Sequence, residues 1–216
     1  MVTRLKLHLV DRADFHKYHD GTAGSGLFVP GADPPNVGER VTVEIVFQAG
    51  PRVLLHGFVM WRRTTGDARA RAGTGVGLDA SEQAKLRYLN GYVRGGLIDV
   101  REKRRLPVRL RVAYTAAKGR RVNFTRDLNE EGAFVRTAEL LELGATTLLL
   151  VSPPGGEYRP LEVQATVTRQ HGDGSDRGVG VRFDFRDEPD RARWTAFVTR
   201  LESDYLEGRL SDDVLL

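Results

Sequence analysis

Two small antiparallel β-barrels in tandem, each closed by a C-terminal α-helix, make up the mainly β fold that this 216-residue sequence predicts. Three observations carry the prediction. The chain repeats itself at an offset of 106 residues. Short segments of alternating apolar residues, broken by Gly and Pro turns, recur in both halves, as small barrels require. Each half then ends in a pattern of helical period.

The elements follow in order. Gly26-Leu-Phe-Val-Pro30 is matched by Gly132-Ala-Phe-Val-Arg136. Gly26 and Gly132 each open a strand, where a positive φ is cheap only for glycine. Twelve residues on stand Gly38 and Gly144, each behind a hydrophobic residue (Val37, Leu143) and ahead of a strand-like run, Val41 to Phe47 or Thr147 to Val151. A longer alternating segment comes next, Val53 to Arg62 and Leu161 to Arg169, which aligns Trp61 with Arg169. Gly75-Val-Gly-Leu78 and Gly178-Val-Gly-Val181 put glycine inside a strand, the mark of a bulge or a close approach. Asp79 and Glu82 predict a capping box ahead of Leu86, Leu89 and Val93. Pro189 suits the first turn of the second helix, along which Trp194, Phe197, Val198, Leu201 and Tyr205 recur at helical spacing. The expected boundaries are 1–96, 97–208 and a tail, 209–216, that either frays or joins a partner surface.

Composition narrows the function. Hydrophobic residues at 40% and charged residues at 29% suit an ordinary soluble globular chain. No run approaches the length of a membrane span, and the start alternates charged and apolar residues, so a cytoplasmic location is expected. The absence of cysteine excludes disulfides and thiolate metal sites. His16 and His19 share i, i+3 spacing but have no convergent carboxylate, and Asp173-Gly-Ser-Asp176 lacks the downstream acid of a calcium loop. No metal or cofactor is expected. The glycines of Gly21-Thr-Ala-Gly-Ser-Gly26 lead into a strand with no Gly-Lys-Ser/Thr, which removes the phosphate-loop readings. No Gly-x-Ser-x-Gly elbow and no Ser, His and Asp set are present, so no catalytic residue is assigned and the chain is not read as an enzyme.

The charge is uneven. Residues 101–126 hold ten basic side chains against Glu102, a net +9, which leaves −5 for the rest of a chain whose total is +4. Such a cluster indicates an anion site, with a solvated arginine face as the alternative. Within it lies Arg101-Glu-Lys-Arg-Arg105, and 22 residues beyond Arg105 begins Asp127-Leu-Asn129-Glu-Glu-Gly132. The pair resembles the two motifs of the PilZ family of cyclic di-GMP receptors, RxxxR and (D/N)xSxxG, with asparagine where the family has serine. Ala133 to Arg136, Gly178 to Phe183 and the terminal helix extend the resemblance over about residues 100–205. The first half resembles a degenerate PilZ barrel. Its Gly21-Thr-Ala23-Gly-Ser-Gly26 keeps only the last glycine, and no paired arginines precede it. The layout is similar to flagellar brake proteins, and the first half to the PilZ-like repeats of gliding delta-proteobacteria.

The resemblance implies a ligand and roles for its contacts. Arg101 and Arg105 would take the phosphates and the guanine O6/N7 edge, which an arginine fork matches. Asp127 would accept from the guanine N1 and N2 donors. Asn129 would add a polar contact, Gly132 would allow close approach, Arg104 would give a third cation, and Arg169 would stack on a base. The implied function is a cyclic di-GMP receptor that couples binding to a rearrangement of its domains and to an unidentified protein effector, in motility, pili or exopolysaccharide control; a homodimer is compatible with it. The main alternative is a PilZ-fold interaction adaptor that binds no nucleotide. Nucleic-acid binding is not expected, since the basic segment lacks an aromatic platform and no helix-turn-helix is present.

Overall fold

The computed structural model describes residues 2–19, 26–48, 50–66, 70–94, 105–116, 119–156, 159–172 and 177–215. The chain divides into two compact units, residues 1–100 with 203–209 and residues 101–202 with 210–216.

The first unit holds β1 (Thr3–Leu9), β2 (Leu27–Pro30), β3 (Arg40–Phe47), β4 (Arg52–Arg63), β5 (Gly73–Leu78) and α1 (Gln83–Arg94). The strands form one open sheet in the order β1-β3-β4-β5-β2. Alternation puts Val41, Val43, Val53, Leu55, Val59 and Val76 in the core, under Leu86, Leu89 and Val93 of α1. At one border of the sheet, β1 exposes Arg4, Lys6 and His8 between Leu5, Leu7 and Leu9.

The second unit holds β6 (Arg111–Ala116), β7 (Gly119–Leu128), β8 (Gly132–Arg136), β9 (Thr146–Val151), β10 (Leu161–His171), β11 (Gly178–Asp184) and α2 (Glu188–Leu206). Its six strands close into a barrel, β10-β11-β8-β7-β6-β9, with every pair antiparallel. Asp187 caps α2 by accepting the Asp190 N–H at 2.8 Å, with Pro189 in the first turn. Trp194 of α2 lies edge-on to Phe183, ring centroids 4.6 Å apart. The tail docks: the Arg109 N–H donates to the Val214 carbonyl at 2.8 Å, and Leu215 bridges Val108.

The mainly β, two-barrel reading stands, with the first unit a half-barrel. In the second unit the β6–β7 hairpin completes the ring. The first unit has only β1 in that place among the described residues, and β1 runs parallel to β3. Without a second arm the ring has nothing to close it.

The internal repeat is physical. Gly38 and Gly144 take left-handed φ values of 85° and 80°. Their N–H groups donate to the Val59 and Val167 carbonyls, each at 2.8 Å. β4 is bulged between Val59 and Trp61, and β10 between Val167 and Arg169. Two expectations are corrected. Gly26 and Gly132 do not have positive φ. Close approach requires them instead: a Cβ on Gly26 would lie 2.8 Å from the Val76 oxygen, and one on Gly132 2.2 Å from the Val181 oxygen. The capping box does not form either. Asp79 pairs with Arg40 through contacts of 2.9 and 2.8 Å, while Glu82 is buried against His56 and Lys85, both at 2.7 Å.

Candidate functional site

The site begins with a bulge. β7 pairs with β8 in regular register as far as Thr125, skips Arg126, and resumes with Asp127 opposite Phe134. The extra residue re-aims the strand, a device common beside functional sites. Phe134 is in turn opposite Gly180 of β11, and Gly180 opposite Arg169 of β10. Residues directly opposite one another share a face of the sheet, so Asp127, Phe134, Gly180 and Arg169 form one row across four strands.

Side chains converge on that row. The Asp127 carboxylate accepts from the Arg105 Nη1 at 2.8 Å with one oxygen and from the Arg126 Nε at 2.8 Å with the other. The three side chains are only 24%, 14% and 28% exposed for Arg105, Asp127 and Arg126, which strengthens the charge-assisted bonds over those of an open surface pair. Arg105 is placed by its neighbour: Leu106 exchanges backbone hydrogen bonds with Leu128 at 2.7 and 3.1 Å. The Arg126 guanidinium lies 4.0 Å from the Phe134 ring centroid, and that of Arg169 lies 5.5 Å from it. Gly180 makes the second contact possible, since a Cβ there would meet the Arg169 Cγ at 2.6 Å.

Asn129 holds the turn that follows Asp127. Its Oδ1 accepts from the backbone N–H groups of Glu131 and Gly132, both at 2.9 Å. Its own carbonyl accepts from Trp194 Nε1 at 3.2 Å. This residue is buried, and it shapes the turn that carries Asp127 into Gly132. Gly132 lies at the end of that turn, tight against β11.

The structure thus brings together Arg105, Asp127 and Arg169, with Asn129 and Gly132 as supports. Arg101 and Arg104 lie outside the described residues. Sequence reasoning missed Arg126 and Phe134 as members of the site. Regular alternation sets Arg126 on the face opposite Asp127, and only the bulge turns both toward one carboxylate–guanidinium cluster. Phe134 was visible as part of the repeat, yet an apolar residue in a strand signals core first. His19 is buried, with ring nitrogens 3.4 Å from the Gly26 oxygen and 3.3 Å from Asn90 Nδ2, a core position. Among the described residues no group of His, Asp and Glu is placed to hold a metal, and no helix is long and apolar enough to cross a membrane.

Comparison with known proteins gives a family match for the second half: residues 99–200 match the PilZ domain. No curated protein matches the chain as a relative. Among solved structures, the chain is similar to YcgR of Escherichia coli in complex with c-di-GMP, at 13% identity over 90% of this chain and 88% of that one, TM-score 0.42. It is similar to the Bacillus subtilis inhibitor of motility MotI/DgrA at 16% identity over 77% and 74%, TM-score 0.41. The PilZ domain of CeSA from a cellulose-synthesizing bacterium matches at 23% identity over 46% of this chain and 99% of that one, TM-score 0.36.

Proposed function

We propose that this chain, whose residues 99–200 match the PilZ domain, is a receptor for cyclic di-GMP and not an enzyme. The observation that carries the reading is the Asp127 row. Its contacting side chains, Arg105, Arg126 and Arg169 against Asp127, leave two positive charges in excess, and the two phosphodiesters of the ligand carry two negative ones. Arginine forks suit both phosphate and the guanine O6/N7 edge, and the carboxylate suits the guanine N1 and N2 donors. The guanidiniums over Phe134 present flat cationic faces on which a base can stack. Ligand entry exchanges the Arg105–Asp127 pair for contacts to the nucleotide, whose two negative charges offset the two positive charges in excess.

Arg105 stands at the end of the segment that joins the two units in sequence, with Arg101 and Arg104 as further ligand cations. Capture of that segment by the nucleotide resets the arrangement of the units and exposes a surface for a protein effector, a coupling of ligand to conformation. Motility, pili or exopolysaccharide is the process under control, and the protein works in the cytoplasm. Isothermal titration of the full chain with cyclic di-GMP is the test. Saturable binding that Arg105→Ala weakens supports the receptor; absence of binding to the wild type removes it. One observation favours a second reading, a PilZ-fold adaptor without nucleotide. Asp127 is already held by two arginines and the Asn129 Oδ1 by two N–H groups, an arrangement complete without a ligand.

A further inference from the structure

The outer face of the first unit carries an apolar surface that its fold does not require. Gly73, Gly75 and Gly77 alternate along β5 and so share one face. Large side chains from the neighbouring strands lie over them. A Cβ on Gly73 would meet the Phe28 ring at 2.7 Å, one on Gly75 the Trp61 indole at 2.2 Å, and one on Gly77 the Met60 sulfur at 2.8 Å. Phe28 and Trp61 stack at 5.7 Å between centroids and 11° between planes. Phe58, Met60 and Trp61 nevertheless remain 42%, 56% and 44% exposed.

The second unit supplies the control. At the equivalent positions along β10, 108 residues later, stand Thr166, Thr168 and Arg169. The scaffold is therefore satisfied by polar residues there, and the apolar set of the first unit answers to something outside the fold.

Charge selects the partner. The Arg63 guanidinium lies 5.8 Å from the Trp61 ring centroid, and its Nη1 is 3.5 Å from the carbonyl of Arg71, itself exposed. Neither arginine pairs with a carboxylate among the described residues. A second copy of the chain fits poorly, because a two-fold contact would bring Arg63 and Arg71 against their own equivalents. A nucleic-acid strand fits poorly as well. The two aromatics stack on each other rather than offering successive platforms, and the cations stand at one end instead of along a track. Methionine beside phenylalanine and tryptophan suits the side chains of a protein ligand.

We propose that this face of the first unit is the docking site of an acidic protein segment that inserts an apolar anchor beside Trp61 and sets its carboxylates on Arg63 and Arg71. The inference stands on the first unit alone and holds whether or not the second unit binds nucleotide. A random dodecapeptide library displayed on phage is panned against the full chain, and the consensus peptide is synthesised and titrated. The expected consensus combines acidic residues with an aromatic or leucine. Its affinity should fall by at least about tenfold, about 1.4 kcal/mol, in Arg63→Glu and in the double variant Met60→Thr with Trp61→Arg. That double variant copies the second unit and so should keep the fold, which an unchanged cyclic di-GMP titration or melting curve verifies. A library that yields no consensus, a consensus without acids, or equal affinity in the variants overturns the proposal. So does oligothymidylate binding, or a dimer seen in sedimentation, that Trp61→Arg abolishes.

Discussion

Arg105 and Gly132 show how single side chains set the limits of the candidate site. Arg105 holds one oxygen of Asp127, and in the receptor reading the same fork turns to guanine or phosphate. Truncation to alanine removes that fork, so Arg105→Ala is expected to lose about 1–3 kcal/mol of nucleotide binding, about 5- to 150-fold in Kd by titration. Gly132 is constrained by space rather than by φ. A methyl group there would press on the Val181 carbonyl, a backbone atom that moves only with its strand. Gly132→Ala should therefore destabilise the chain by about 1–3 kcal/mol in denaturant melts.

The turn between β7 and β8 is the element on which the site depends. Asn129 Oδ1 satisfies two backbone N–H groups in it. Asn129→Ala leaves both without that acceptor, the Gly132 N–H in a buried place, and should cost about 1–3 kcal/mol, whereas Asn129→Ser keeps an oxygen able to close the turn more weakly and should cost less than about 1 kcal/mol. Urea titration of the two variants separates these outcomes. Strands, turns and the 106-residue repeat were legible in the sequence because alternation and glycine spacing are local signals. The bulges of β4, β7 and β10 were not, since a bulge is a property of two strands and no single segment records it. For the same reason Arg126 escaped notice, although it adjoins Asp127 in sequence. The capping box failed through competition at long range: Arg40, 39 residues before Asp79, takes its carboxylate. The parallel entry of β1 beside β3 was equally hidden, because the alternation in Thr3–Leu9 is the same for either direction.

At the scale of the whole molecule, stability should report on both units. Tyr205 is 3% exposed, its hydroxyl has no hydrogen-bond partner among the described residues, and burial, with Glu82 nearby, pushes its pKa from 10.0 up to about 12. Below pH 10 the phenol is neutral in both folded and unfolded chains. Between pH 10 and about 12 the unfolded chain releases a proton that the folded chain keeps, so stability falls as pH rises, by about 2–3 kcal/mol in all. Melts across this range should show the loss in the wild type and a shallower one in Tyr205→Phe, which should be no less stable near neutrality. Nucleotide binding should raise the stability of the native chain by about 2.7 kcal/mol at a ligand concentration 100 times Kd, visible as a Tm shift. Small-angle scattering with and without the nucleotide tests the coupling: identical profiles would keep the receptor and discard the rearrangement.

The half-barrel has a further consequence for how the chain behaves in a crowded solution. A ring of strands presents no unpaired margin, whereas an open sheet leaves a line of N–H and C=O groups that invites strand addition and, ultimately, fibrils. The β1 margin carries Arg4, Lys6 and His8 on its solvent side, and at the other end of the sheet β2 finishes in Pro30, which has no N–H to give. The basic residues near the start of the chain thus act as guards against self-templating, and neutralising them would trade solubility for aggregation while also stripping the buried Glu44 carboxylate of its Arg4 and Lys6 partners.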